Sequence, residues 1–246
     1  MQNITNIALS RMTAQQRALD VTASNIANAN TPGYRAERLV FSDFLVRNRG
    51  RDIPPGAETV QLTQDRASYR DQSAGPITHT SNPLDLALAS DGYFSVETPQ
   101  GPRLTRAGHF ELNADGNLVN SDGHALLDNG GQKLTLAPTD TRITVSADGT
   151  VSSENGQIGR IGVVRPSSPY ALKPEGGRLF VDEGQPVAVE KPKIIQGAIE
   201  QSNIAPVVEL TRMMRELREF EFTSKMVESD GVRRMTAIEK LTQKRS

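Results

Sequence analysis

Between residues 91 and 156 the chain carries six Asp-Gly or Asn-Gly doublets: Asp91-Gly92, Asp115-Gly116, Asp122-Gly123, Asn129-Gly130, Asp148-Gly149 and Asn155-Gly156. These doublets constrain the fold more than any other feature. Glycine reaches positive φ without a Cβ clash, and Asp or Asn bonds readily to nearby backbone, which is what tight hairpin turns demand. Between the turns lie short runs at Tyr93 to Thr98, His109 to Leu112, Asn117 to Asn120, Lys133 to Leu136, Arg142 to Ser146 and Ile158 to Arg165. Leu84 to Ala89, Arg178 to Asp182 and Val187 to Glu190 continue the pattern on either side. Residues 81–199 are therefore expected to form a central all-β domain of short antiparallel strands.

Both ends have a different period. Ile4, Ala8, Met12, Gln15, Leu19, Thr22 and Ile26 recur every three or four residues, a narrow helical stripe over 4–26. It should close near Asn28 or Asn30, since Asn tolerates the left-handed conformation and Pro32 follows. Thr31-Pro32-Gly33-Tyr34 suits a turn with Pro fixing φ first and Gly supplying positive φ second. At the other end Pro206 fits a first helical turn, and Glu209 suits the positive end of the dipole. Val207, Leu210, Met214, Leu217, Phe220, Ser224 and Val227 make a second stripe, which Met235, Ile238 and Leu241 continue. Gly231 costs about 1 kcal/mol against Ala in a helix interior, so a kink or an early end is expected there. Unbroken, roughly 40 residues at about 1.5 Å each reach roughly 60 Å, and so long a helix with a thin seam wants a partner helix. The expected fold class is thus α+β, with the terminal helices pairing as an elongated coiled-coil-like domain. Residues 36–80 hold Pro54-Pro55-Gly56 and Gly75-Pro76 with little apolar periodicity, and read as an extended connector with at most short pairing segments.

Composition narrows the function. Apolar residues make up 36% and aromatics 4%, with no Trp, so the core should be small and aliphatic, with some apolar surface left for other subunits. The formal net charge of -1 argues against a nucleic-acid binder, and the Arg47, Arg49 and Arg51 cluster has no interleaved aromatics to stack bases. Without cysteine there are no disulfides, thiolate metal sites or Cys nucleophiles. His79, His109 and His124 are scattered, and neither an EF-hand spacing nor a nucleophile elbow nor a phosphate loop occurs. No catalytic residue, metal ligand or cofactor is expected, and the chain reads as no enzyme. Residues 1–30 lack a basic stretch followed by an apolar run, and no segment approaches the roughly 18 apolar residues of a membrane span, so neither a cleaved signal peptide nor membrane insertion is expected.

Three blocks carry a family resemblance: Asn25-Ile26-Ala27-Asn28-Ala29-Asn30-Thr31-Pro32-Gly33-Tyr34; Asn82-Pro83-Leu84-Asp85-Leu86-Ala87 with Asp91-Gly92-Tyr93-Phe94 and Thr105-Arg106-Ala107-Gly108-His109-Phe110; and Gln196 to Asn203 with Glu209 and Phe220-Glu221. Together and in this order they resemble the flagellar axial proteins, and length places the chain with the basal-body rod members, proximal before distal, ahead of the longer hook protein. The resemblance implies a structural rod subunit, with 1–35 and 200–246 forming a discontinuous helical axial domain and the β domain outside it. Implied partners are further copies of the chain, neighbouring rod proteins and the flagellar type III export apparatus. The implied location is the basal body in the periplasmic space, reached with the N-terminal segment uncleaved. Assembly residues carried over by resemblance and periodicity are Ile4, Met12, Leu19, Asn25, Ile26, Asn28, Asn30, Gly33 and Tyr34 at the N-terminal end. At the C-terminal end they are Leu210, Met214, Leu217, Phe220 and Val227. Ala205 is a poor N-cap, which leaves that role to Ser202 or Asn203. A different class, a binding module or hydrolase with its helices packed on the β domain, would need a convergent polar pocket.

Overall fold

The computed structural model describes residues 2–47, 59–140, 142–168, 172–176 and 178–243, without the side chains of 2–6, 42–47, 59–66 and 241–243. Arg49 and Arg51 fall outside the described residues, as does the side chain of Arg47. The chain forms two compact units, one of residues 1–27, 37–71 and 205–246 and the other of 28–36 and 72–204.

The first unit holds helix α1 (Gln2–Ala27), strands β1 (Glu37–Arg47) and β2 (Thr59–Arg70), and helix α2 (Pro206–Gln243). Two points differ from expectation. Helix α2 runs without a break through Gly231. That glycine is exposed, and the adjacent Asp230 binds Arg233 and Arg234 one turn on, at 3.3 and 2.6 Å, so a propensity loss of about 1 kcal/mol is too small to open the helix. The stretch expected as an extended connector contains the two longest of the described strands. They pair antiparallel from Glu37↔Arg70 to Arg47↔Thr59, with a bulge at Val40/Phe41. The apolar residues of β1 fall in two blocks, Leu39-Val40-Phe41 and Phe44-Leu45-Val46, so period-two alternation is hidden in the sequence.

The described strands of the second unit pair antiparallel. Its largest sheet has nine described strands, centred on β3 (Tyr93–Thr98), which pairs with β4 (Gly101–Thr105), β5 (Ala125–Leu126) and β6 (Val163–Arg165). The sheet buries Phe94, Val96, Phe110, Leu118, Leu126, Leu134, Leu136 and Ile161, and the rings of Phe94 and Phe110 meet edge to face at 5.6 Å. Lys133 to Leu136, expected as a strand, makes only isolated bridges.

Three of the turns share one device. Asn113 Oδ1 accepts from the amides of Asp115 and Asn117, Asn120 Oδ1 from those of Asp122 and His124, and Asp128 Oδ1 from those of Gly130 and Gln132. In each, the fourth residue is a glycine at positive φ: Gly116 at 80°, Gly123 at 82° and Gly131 at 79°. The acceptor stands two residues ahead of Asp115-Gly116 and of Asp122-Gly123, and one ahead of Asn129-Gly130, and it holds the loop closed while glycine takes the left-handed step.

Candidate assembly surface

Helices α1 and α2 pack antiparallel within the first unit: Thr22 lies beside Glu216, and Ile7 and Ala8 beside Phe222 and Met226. The seam between them is largely polar. The Thr22 hydroxyl donates to Glu216 Oε2 at 2.9 Å. Glu209, 1% exposed, takes Arg38 of β1 at 2.7 Å and Arg212 at 3.5 Å. Burial pushes the Glu216 carboxyl above its ordinary value, against the Thr22 hydrogen bond and the nearby Arg212. Among the N-terminal candidates Leu19 is buried and Met12 and Ile26 are half-buried, while Ile4 is helical with its side chain outside the described ones.

Helix α2 divides its apolar residues between two faces. Of its candidates, Phe220 and Val227 are half-buried on the α1 side, whereas Leu210, Met214 and Leu217 are exposed at 48, 53 and 42%. Val207, Val232 and Met235 share their exposed face by helical spacing. Beside Phe220 and Val227, the side that meets α1 carries Glu209, Glu216, Thr223 and Asp230.

The signature around Pro32 serves the chain's own fold. Asn25 is 1% exposed and copies a peptide group: its Nδ2 donates to the Glu37 carbonyl and its Oδ1 accepts the Glu37 amide, both at 2.9 Å, which anchors the start of β1. The helix ends at Ala27, and neither Asn28 nor Asn30 adopts positive φ. A turn in which the Thr31 amide bonds the Asn28 carbonyl closes it instead. Asn30 is exposed. The 31–34 turn forms as expected, with the Tyr34 amide on the Thr31 carbonyl at 3.2 Å and Gly33 at φ +71°. A Cβ on Gly33 would sit 2.4 Å from the Ala107 amide nitrogen. Tyr34 packs with Ala36 and Ile204. Neither Ser202 nor Asn203 caps α2: Ser202 Oγ accepts from Ile204 and Asn203 Oδ1 from Ala36, and the Ala205 carbonyl accepts the amides of Val208 and Glu209.

Sequence reasoning missed a buried ion triad beside this turn. Glu200, 2% exposed, meets Arg35 at 2.7 Å and Arg106 at 3.1 Å, and its Oε1 accepts the Gly75 amide at 2.9 Å. Arg106 also donates to the carbonyls of Leu88 and Ser90 and lies 5.3 Å from the Tyr93 ring centre. Burial draws the Arg106 pKa down, opposed by Glu200, and lifts that of Tyr93. The only available signal was Arg35, Arg106 and Glu200 each lying within or next to a block of resemblance. Among the described residues no group of His, Asp and Glu is placed to hold a metal ion, and no helix is long and apolar enough to cross a membrane.

Comparison with known proteins covers both units. A family model for flagella basal body rod proteins matches residues 6–35, one for the D1 domain of the flagellar hook protein FlgE/F/G matches 87–153, and one for the C-terminal part of flagellar basal body rod FlgEFG proteins matches 195–231. The chain is 35% identical to the flagellar basal-body rod protein FlgF of Caulobacter vibrioides, over 98% of each chain. It is 32% identical to FlgF of Mesorhizobium japonicum over 99% of this chain and 100% of that one. To the rod protein FlgG of Agrobacterium fabrum it is 34% identical, over 90% of this chain and 92% of that one.

Proposed function

Because the chain belongs to the flagellar basal-body rod protein family and is a structural subunit of the rod, we propose that it works by assembly through its terminal helices and not by catalysis. The observation that carries this reading is the exposed α2 stripe of Leu210, Met214 and Leu217. Apolar side chains at that spacing on one helix face stay about half exposed in the monomer, and each gains about half of the roughly 1.5–3 kcal/mol of full burial when a neighbour covers it. A neighbouring subunit supplies that cover.

In this reading residues 1–35 and 200–246 form the axial part, where the helices of successive subunits pair in coiled-coil fashion, and 81–199 form the β domain. The N-terminal candidates divide in role. Met12, Leu19 and Ile26 support the helix pair, and Asn25, Gly33 and Tyr34 shape the exit from α1. The subunit reaches the periplasmic part of the rod through the flagellar type III export apparatus, meets neighbouring rod proteins there, and lies in the proximal rod. The 34% identity to a FlgG relative supports a distal position as the second reading.

The test is deletion of the gene in its flagellated host, with basal bodies imaged by electron cryotomography. We expect loss of the distal rod and hook, restored by the full chain but not by one lacking residues 1–30. Intact flagella after deletion would overturn the reading.

A further inference from the structure

Beside the α1–α2 seam lies a groove of about 530 Å³, with Ile7, Phe222 and Met226 among its lining residues. Its charged lining residues are Arg11, Arg215, Arg218 and Glu219, a net charge of +2 from three arginines and one glutamate. The outer face of α2 has the opposite character. At about 100° per residue, Val207, Leu210, Met214, Leu217, Val232 and Met235 fall within one sector, and the two residues that share its centre line between Leu217 and Val232 are Glu221 and Glu228. Lys225 stands on the flank of that sector, toward Arg218. Groove and stripe lie on different sides of the same helix pair, so one molecule cannot satisfy its own groove with its own stripe.

We propose that the outer α2 stripe of one copy of this chain seats in the α1–α2 groove of the next copy. Leu210, Met214 and Leu217 then cover Ile7, Phe222 and Met226, while Glu221 and Glu228 face Arg11, Arg215 and Arg218. This inference rests on the rod reading and specifies its contact. An amphipathic helix laid into an apolar groove gains its affinity from the apolar anchors, and the charges set register and choice of partner. Because the two surfaces differ, the contact is heterologous: each added copy presents a fresh groove or stripe, and growth continues without closing on itself. Symmetric stripe-to-stripe pairing would instead bring Glu221 and Glu228 of two copies together.

The absence of cysteine from the chain makes the contact directly readable. Cells would make two full-length chains distinguished by tags, one Met214→Cys and one Phe222→Cys, with Met226→Cys as the alternative groove position. Basal bodies isolated from swimming cells would be treated with a short bismaleimide. The expected product joins the 214 chain to the 222 or 226 chain. Arg215→Glu with Arg218→Glu in the groove chain should abolish that product, and adding Glu221→Arg with Glu228→Arg to the Met214→Cys chain should restore it. Basal bodies that hold both chains but give only like-with-like products, no product, or a product with a different rod protein would overturn the contact and leave the rod reading standing. Basal bodies that lack both chains would overturn the rod reading and this contact with it.

Discussion

Glu200 shows how much one side chain can hold together. Its carboxylate accepts from two guanidinium groups and a backbone amide on segments at 35, 75 and 106. Removing one partner of a buried pair strands the others, which typically costs about 3–5 kcal/mol. Glu200→Gln should therefore lower the unfolding free energy of the β unit by that amount in urea titrations followed by tyrosine fluorescence. Unchanged stability would show that the arginines find other acceptors. Asn25 makes a smaller, similar bridge: Asn25→Ala leaves the Glu37 amide and carbonyl without their partner, at about 1–3 kcal/mol. Faster amide exchange at Glu37 is the readout. Asn120→Ala should cost about 1 kcal/mol, because the Asp122 and His124 amides lose their acceptor while Gly123 keeps its φ of 82°. The Asx-Gly doublets made these turns visible in sequence. The acceptors Asn113, Asn120 and Asp128 upstream of three doublets were not visible, since many Asn and Asp residues sit in loops without closing one.

Among elements, the helix pair and the sheet respond oppositely to acid. Glu216 has a folded pKa above its unfolded one, so its protonated form is the one the helix pair favours. That contribution is fully present below the unfolded value of 4.5 and is lost as pH rises through the raised folded value. Glu209 nearby adds to the rise, while Arg212 and Arg215 oppose it. Asp140 and Asp148 in the β unit have lowered pKa values, held down by hydrogen bonds from Ser153 and Asn155 and from Thr150. Their contribution is present above the unfolded value of 3.8 and fades as pH falls through the folded one. Lowering pH from 7 to 4.5 should slow amide exchange across 209–223, and Glu216→Gln should remove that dependence. A helix exchange rate that rises toward pH 4.5, after correction for intrinsic rates, would contradict it. The continuous α2 and the 37–70 ribbon were the two elements the sequence obscured. In α2 a glycine looked like a stop, and in β1 apolar blocks hid the alternation.

For the molecule as a whole, the apolar burial is uneven. The β unit encloses Phe94, Val96, Phe110 and Leu126 completely, at 0% exposure, whereas α1 buries only Ala8, Ala14 and Leu19 among its described apolar residues. Helix α2 buries none of its described apolar residues below the half-buried range. Helices with so little tertiary cover are marginal in water. In the monomer, amides of 4–26 and 207–240 should exchange orders of magnitude faster than those of 93–98, and assembly into rods should close most of that gap. Full protection of both helices in the monomer would mean that the polar seam alone holds them.

The β character of the middle, the helical ends, the turn at Thr31 to Tyr34 and the family were legible from the residues in order, because doublet spacing, 3.6-residue periodicity and the ordered motif blocks are local properties. Tertiary structure alone decided which side of each helix turns inward. Periodicity locates an apolar stripe but carries no information about what the stripe faces. Here the inward side of α2 is occupied by Glu209 and Glu216, whose partners Arg38 and Thr22 lie 171 and 194 residues away in the chain. The Arg35–Glu200–Arg106 triad is of the same kind: three charged residues far apart in sequence, brought together and desolvated only when the sheet and the signature turn close around them.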